Sequence, residues 1–487
     1  MATTPVSSFL WVIILFGFSA GFLCPYAHEG RETTESQHLL LHTHTVQVDS
    51  LIPSTTCTST ASNEGPKSKG SLKVIHKYGP CFQSKEDEVA AVPNHIEILL
   101  QDQSRVNAIN SRLSKNSAGS SKFRDSQAAT LPAKSGLTVG SGNYVVTVGL
   151  GTPKRDLRLV FDTGSDLTWT QCQPCAGYCY NQVDPIFDPS KSTSYSNVTC
   201  TSPTCTQLSS PTGNRPRCSL TSQCIYLIGY GDKSYSIGYF SKERLTITPL
   251  DVLDNFLFGC GQDNEGLFNG SAGLLGLGRN QISIVQQAAK KYGLFFSYCL
   301  PSTPSSIGHL TFGNGGGVSN TVKFTPLLTL SRGASFYGLG LTGISVGGRQ
   351  LSIPTSVFST PGTIIDSGTV ITRLPPMAYN ELRTAVRESM RGYPMTSPVS
   401  ILDTCYDFSK NKSVLVPSIA FLFGGVSVDL DHAGVFFILS SSQACLGFAG
   451  NNDASNIVII GNAQQKRLEV VHDVAGGRIG FGPSGCS

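Results

Sequence analysis

One short pattern occurs twice in this 487-residue chain and constrains everything else about it. In LRLVFDTGSDLTW, residues 157–169, three apolar residues run into Asp162, followed by Thr163 and Gly164. In PGTIIDSGTVIT, residues 361–372, the order returns: an apolar run, Asp366, Ser367, Gly368 and a second hydroxyl at Thr369. A lone Asp-Thr-Gly is ordinary turn chemistry at the end of a strand. Two copies are not, because each is followed by a second shared element: AGLLGLGR at residues 272–279 and IVIIGNAQQ at residues 457–465. Asp162 to Gly276 and Asp366 to Gly461 therefore read as one unit used twice. Two lobes related by an approximate two-fold axis are predicted, with the Asp loops face to face.

These paired motifs resemble those of the pepsin-type aspartic proteases, and more closely the plant branch typified by nepenthesin, from about residue 144 to the C-terminus. The resemblance implies a mainly β, bilobal fold of two pseudo-symmetric β lobes with short helices. It implies that Asp162 and Asp366 are catalytic, close enough to share one proton. Like charges so close cannot both ionise comfortably. One carboxylate then takes a proton from a water attacking the peptide carbonyl while its protonated partner hydrogen-bonds the carbonyl oxygen. Gly164 and Gly368 let a backbone N–H approach each carboxylate. In the family, residues matching Thr163 and Ser367 hydrogen-bond across the lobe junction, those matching Ser165 and Thr369 bond the outer carboxylate oxygens, and a tryptophan matching Trp169 hydrogen-bonds a flap tyrosine matching Tyr230. The expected function is a secreted aspartic endopeptidase made as a zymogen and acting at acidic pH, with no metal, no cofactor and no covalent intermediate.

The rest of the chain fits that frame. Residues 9–23 form one apolar run, short for a membrane span and suited to a secretory signal, with Ser19, Ala20 and Ala27 as possible cleavage positions. The expected organisation is a signal peptide at 1–27, a prosegment at 28–130, an N-terminal lobe at 131–330 and a C-terminal lobe at 331–487. Six of the nine His fall in the prosegment, whose little strand-like alternation leaves one helix, residues 94–113, with Ile96, Leu99, Leu100 and Val106 on one side. SLKVIHKYGPCF, residues 71–82, resembles a prosegment motif of the nepenthesin-like family, and Lys73 and Lys77 are the candidates to pair with the catalytic carboxylates. Removal is expected near residues 128–136.

Fifteen Cys and the sequons at Asn197, Asn269 and Asn411 favour an oxidising compartment, with disulfides rather than zinc among Cys172, Cys175, Cys179, Cys200, Cys205, Cys218 and Cys224. Cys260, Cys299, Cys405, Cys445 and Cys486 bring the mature count to twelve, with Cys24, Cys57 and Cys81 upstream. The resemblance implies Cys172 with Cys175, Cys179 with Cys260, Cys200 with Cys224, Cys205 with Cys218, Cys299 with Cys486 and Cys405 with Cys445. Residues 224–247 read as a hairpin, the flap of the family, here with Lys233 where relatives often carry Gly. Residues 281–292 and 377–391 read as helices, and residues 325–335 as the crossing between lobes. GISVG at 343–347 fits a nucleophile pattern around Ser345 but lacks the helix that pattern needs.

Two rivals share parts of this reading: plant inhibitors of glycosidases built on the same scaffold, and ATP-binding proteins of the actin and hexokinase type with two Asp-x-Gly loops. The intact triplets oppose the first; the signal, sequons and cysteines oppose the second. A net charge of +4 and 14% charged residues give no argument for nucleic acid. Protein or peptide substrates, a monomer without a stable membrane anchor, and the extracellular space are expected, with the vacuole as alternative and the plastid behind it.

Overall fold

The computed structural model describes residues 42–51, 54, 56–58, 70–82, 94–115, 144–230, 234–266, 268, 270–314, 319–331 and 333–486. The expected signal at 1–27, the processing region at 128–136, Cys24, Asn269 and the hairpin tip with Lys233 lie outside the described residues.

The principal elements begin with β1 (Thr43–Gln47), β2 (Ser71–His76) and α1 (His95–Lys115). The first lobe contains β3 (Tyr144–Leu150), β4 (Arg155–Asp162), β5 (Trp169–Gln171), β6 (Cys224–Gly229), β7 (Tyr235–Thr248), β8 (Asp251–Glu265), β9 (Gly273–Gly276), β10 (Phe295–Cys299) and β11 (Ile307–Phe312). After β12 (Lys323–Pro326), the second contains β13 (Thr363–Ile365), β14 (Thr372–Leu374), α2 (Pro376–Ser389), β15 (Ser413–Pro417), β16 (Phe448–Gly450) and β17 (Val458–Ile460), and the chain closes with β18 (Glu469–Asp473) and β19 (Arg478–Gly482). The architecture is mainly β and bilobal.

The duplication is legible in strand pairing. β4 runs parallel to β9 with Asp162 opposite Gly276, and β13 runs parallel to β17 with Ile365 opposite Ile460. β9 then lies antiparallel to β5, and β17 antiparallel to β14; β5 pairs in parallel with β8, and β14 with β16. Each Asp thus leaves the end of a strand flanked by a parallel neighbour. The apolar runs TII and VII are buried throughout, as strands covered on both faces require. Gly461 permits the close approach, since a Cβ there would come within 2.7 Å of the Val370 carbonyl oxygen.

The upstream segment is more ordered into the sheet than its composition suggested. β2 pairs with β11 on one side and β3 on the other, placing it inside the largest sheet, with Val74 fully buried. β1 pairs antiparallel with β15, and Cys57 bonds to Cys81. The helix expected at 94–113 is α1, and of its expected apolar side Leu99 and Val106 are buried while Ile96 and Leu100 are not. Ile98, Leu99, Val106 and Ile109 are buried, packing on Val370, Ile371 and Leu402 toward one end and on Phe336, Ile364 and Ile459 toward the other. Ile96 and Leu100 are half exposed. Four apolar residues within positions 96–100 left the face ambiguous, and contact with the second lobe decides it.

The hairpin at 224–247 forms as β6 and β7, with Ile225 opposite Tyr239. α2 buries Ala378, Leu382 and Val386. The helix expected at 281–292 is two single turns, Ile284–Gln287 and Ala289–Tyr292. Ser345 lies in a strand, Leu341–Val346, followed by another short strand.

The disulfides correct the implied pairing in part. Cys299–Cys486 and Cys405–Cys445 form as expected. In the cysteine-rich region, however, Cys172 bonds to Cys260 and Cys175 to Cys179. β5 lies beside β8 with Thr170 opposite Cys260, and the Cys172 N–H donates to the Gly261 carbonyl, so Cys172 arrives next to Cys260. Cys179 instead bridges to Asn264, farther along β8. Likewise Cys200 bonds to Cys218 and Cys205 to Cys224. Burial sorts these: Cys205 and Cys224 are both interior, while Cys218 is exposed and Cys200 half-buried.

Candidate active site

The two Asp-Ser/Thr-Gly turns meet where β4 and β13 end, and their backbones grip each other. The Thr163 N–H donates to Ser367 Oγ at 3.1 Å, and the Ser367 N–H donates to Thr163 Oγ1 at 2.9 Å. Each glycine N–H donates to the carboxylate of its own turn, Gly164 to Asp162 Oδ1 and Gly368 to Asp366 Oδ1, both at 2.9 Å. Neither position can carry a side chain: a Cβ on Gly164 would lie 2.6 Å from Asp366 Oδ1, and one on Gly368 would strike Asp162 Oδ1. Both carboxylates are fully buried.

The outer oxygens differ. Thr369 Oγ1 donates to Asp366 Oδ2 at 2.6 Å. Ser165, at the matching place in the first turn, lies beside Asp162 and helps to lower its pKa, but among the described residues its Oγ makes no well-directed hydrogen bond like that of Thr369. Asp162 Oδ2 is taken by another donor.

That donor is Arg105, from α1, which no sequence argument had singled out. Its Nη1 donates to Asp162 Oδ2 at 3.1 Å and its Nη2 to Asp162 Oδ1 at 2.7 Å. The same Nη2 donates to Asp366 Oδ1 at 3.0 Å, and Nε to Asp366 Oδ2 at 3.0 Å. One planar guanidinium thus bridges both carboxylates with its rigid fork, which a lysine ammonium could not do. Lys73 and Lys77 do not fill this place: Lys73 is exposed on β2 opposite His309, and Lys77 is buried beside the Tyr78 ring, with burial lowering its pKa to about 8. The available signal for Arg105 was a charged residue on the buried face of α1, next to Val106.

The electrostatics follow from this geometry. Burial raises the pKa of Asp162, but the Arg105 charge, its hydrogen bonds and the Gly164 N–H outweigh it, leaving Asp162 below the ordinary carboxylate range. Asp366 stands above that range, chiefly through burial, which the Arg105 charge opposes and repulsion from Asp162 reinforces. Burial opposes the charge on Arg105 itself, and the two carboxylates more than restore it. Two carboxyls in contact, one held high and one low, can pass and receive a proton between them. Among the described residues no three His, Cys, Asp or Glu side chains converge to hold a metal ion.

The chain is 54% identical to an aspartyl protease family protein of Arabidopsis thaliana over 98% of each chain, and 50% identical to aspartyl protease AED1 of the same plant over 94% of this chain and 95% of that one. It belongs to the plant pepsin-like aspartic proteases. Nepenthesin-2 of Nepenthes gracilis is 36% identical over 74% of this chain and 82% of its own length. Residues 144–314 match the family model described as xylanase inhibitor N-terminal, and residues 336–483 its C-terminal counterpart. The crystal structure of edgp matches 72% of this chain and 93% of its own with a TM-score of 0.57 at 21% identity, a likeness of fold.

Trp169 and Tyr230, also singled out in the sequence, meet each other. Trp169, fully buried, donates its Nε1–H to Tyr230 Oη at 2.9 Å, and the Phe268 ring packs edge-on against both. Asn197 is exposed and Asn411 half-buried.

Proposed function

We propose that this aspartic-type peptidase is a secreted endopeptidase synthesised as a zymogen, with Asp162 and Asp366 as its shared-proton pair and α1 as the element that blocks them. The observation that carries this reading is the placement of Arg105, which donates four of its hydrogen bonds to those two carboxylates from a helix upstream of both lobes. While it stays, the space a water and a peptide bond need is filled. When α1 leaves, mutual repulsion of two bare carboxylates makes one of them keep a proton, and the pair titrates as a unit. The ionised member then draws a proton from the attacking water, and the protonated member donates to the carbonyl oxygen. Trp169 and Tyr230 anchor the hairpin that closes over the substrate.

Secretion rests on the apolar run at 9–23 and on seven disulfides among the described residues, which suit an oxidising compartment. No helix among the described residues is long and apolar enough to cross a membrane.

The second reading, a protein that only binds, draws on the description of the matching family models as xylanase inhibitors. The experiment that separates the two is digestion of a denatured protein from about pH 2 to 7 by the acid-treated chain, with Asp162→Asn and pepstatin as controls. Acid proteolysis abolished by both controls supports the endopeptidase. No cleavage at any pH, from material verifiably free of α1, transfers the weight to the binding protein.

A further inference from the structure

α1 places a second charged residue in the cleft, one turn before Arg105. Asp102 is fully buried, and its carboxylate fits a cradle made by the second lobe. Oδ1 accepts from the Val370 N–H at 2.6 Å, Oδ2 accepts from the Ile371 N–H at 3.1 Å, and Oδ2 lies 2.9 Å from Arg373 Nη2. Val370 and Ile371 follow directly on Thr369, and Arg373 comes two residues later, so all three belong to the second lobe and remain when α1 does not.

Arg373 is the unusual member. It sits in β14 between β16 and β17, opposite Ala449 and Ile459, with a side chain 1% exposed. Among the described residues none of its nitrogens makes a well-directed hydrogen bond, and Asp102 is its counter-charge. Burial opposes the charge on Arg373, and the nearby carboxylate of Asp102 works against that. Its strand neighbours Ala449 and Ile459 are apolar and buried, and Val370 and Ile371 just before it belong to a buried apolar cluster with Leu402 and the Cys405–Cys445 disulfide. A guanidinium in such a place is strongly unfavourable without an anion. The site is therefore incomplete once Asp102 departs, and it keeps two N–H donors and one guanidinium charge beside one carboxylate position.

We propose that Val370, Ile371 and Arg373 form a substrate subsite for an acidic side chain, and that Asp102 occupies it as a stand-in while α1 is in place. The proposal rests on the reading that α1 leaves the cleft. Three residues of helix rise about 4.5 Å, and an extended peptide advances about 3.3 Å per residue. Arg105 marks the carboxylates where the bond is cut, so the favoured Asp or Glu lies one or two residues from that bond. The two N–H groups donate to different carboxylate oxygens, so an amide of the same shape can accept from only one of them, turns its NH2 toward the other and leaves Arg373 without a charge partner, which is the basis of discrimination.

The test uses the acid-activated enzyme and peptides with one cleavable bond, capped at both ends, carrying Asp, Glu, Asn or Gln at each flanking position in turn. At about pH 5 the acidic side chains are largely ionised. At one position kcat/KM for the acid exceeds that for its amide by about tenfold or more, and Arg373→Gln brings the ratio toward one. Should that variant not fold, the wild-type ratio is followed to about pH 3, where the substrate carboxyl protonates and the preference disappears. A ratio near one at every position in the wild-type enzyme overturns the subsite while leaving the peptidase reading intact. A preference that survives in folded Arg373→Gln overturns the assignment to Arg373. Failure to cleave any peptide removes the peptidase reading and the subsite with it.

Discussion

Thr163 and Ser367, 204 residues apart in sequence, exchange reciprocal hydrogen bonds, each backbone N–H donating to the other's hydroxyl. Both are buried, and neither N–H has water to fall back on. This pair is what makes one site of two lobes, because it fixes the turns that hold Asp162 and Asp366 without touching either carboxylate. Thr163→Val keeps the shape and removes one acceptor, leaving the Ser367 N–H unsatisfied. A loss of about 1–3 kcal/mol in stability is expected, together with a fall in peptidase activity from misregistered carboxyls. Thermal unfolding and kcat/KM measured on the same preparation check both; an unchanged Tm would show that the exchange is not holding the lobes.

Tyr230 offers a separable test on the other side of the cleft. Tyr230→Phe preserves the ring against Phe268 and deletes the oxygen that accepts from Trp169 Nε1. The indole N–H is then left in the interior, at a cost of about 1–3 kcal/mol, borne mainly by the hairpin. The expected outcome is a lower kcat/KM for peptide substrates with a smaller change in global unfolding. Equal losses in Thr163→Val and Tyr230→Phe by both measures would contradict a local role for the hairpin.

What could be seen in the sequence was what is written locally. The Asp-Gly pairs and the buried runs TII and VII declare themselves locally, and the structure pairs them as the duplication requires; the strands of the hairpin at 224–247 pair as well. Arg105 did not declare itself, because its importance depends on which face of α1 is buried, and Ile96, Ile98, Leu99 and Leu100 permit several answers. The second lobe supplies the answer by packing Val370 and Ile371 against Ile98 and Leu99. Cysteine partners were hidden for a similar reason: Cys172 and Cys179 are both near β8, and only strand register says which faces Cys260.

That register gives a direct chemical prediction. Non-reducing proteolytic mapping should recover Cys172 linked to Cys260 and a small loop closed by Cys175 and Cys179, four residues apart. It should also separate Cys200–Cys218 from Cys205–Cys224. A fragment joining Cys179 to Cys260 would mean that the turn after β5 is placed wrongly relative to β8.

Acid should open the cleft, and the sign follows from Arg105. With α1 in place the Arg105 charge and hydrogen bonds hold Asp162 below the ordinary carboxylate range, so Asp162 binds a proton less tightly there than an ordinary carboxyl does. The state that binds protons more weakly is favoured at high pH and loses ground as pH falls. Asp366, raised above 3.8 by burial, takes up its proton first, and the window for opening is set by Asp162, which lies below 3.8 and loses its ion pair with Arg105 when it protonates. The blocked state is therefore stable near neutrality and weakens as pH drops through that window. Arg105→Gln removes the charge but not the helix, so self-cleavage should begin at a higher pH than in the wild-type chain. Arg105→Lys, a point charge without the fork, should fall between the two. Following the appearance of the shortened chain on gels across a pH series reads the onset directly. The same onset pH in all three would show that the ion pair does not control opening, and would shift attention to the apolar contacts of α1 and the insertion of β2 between β3 and β11.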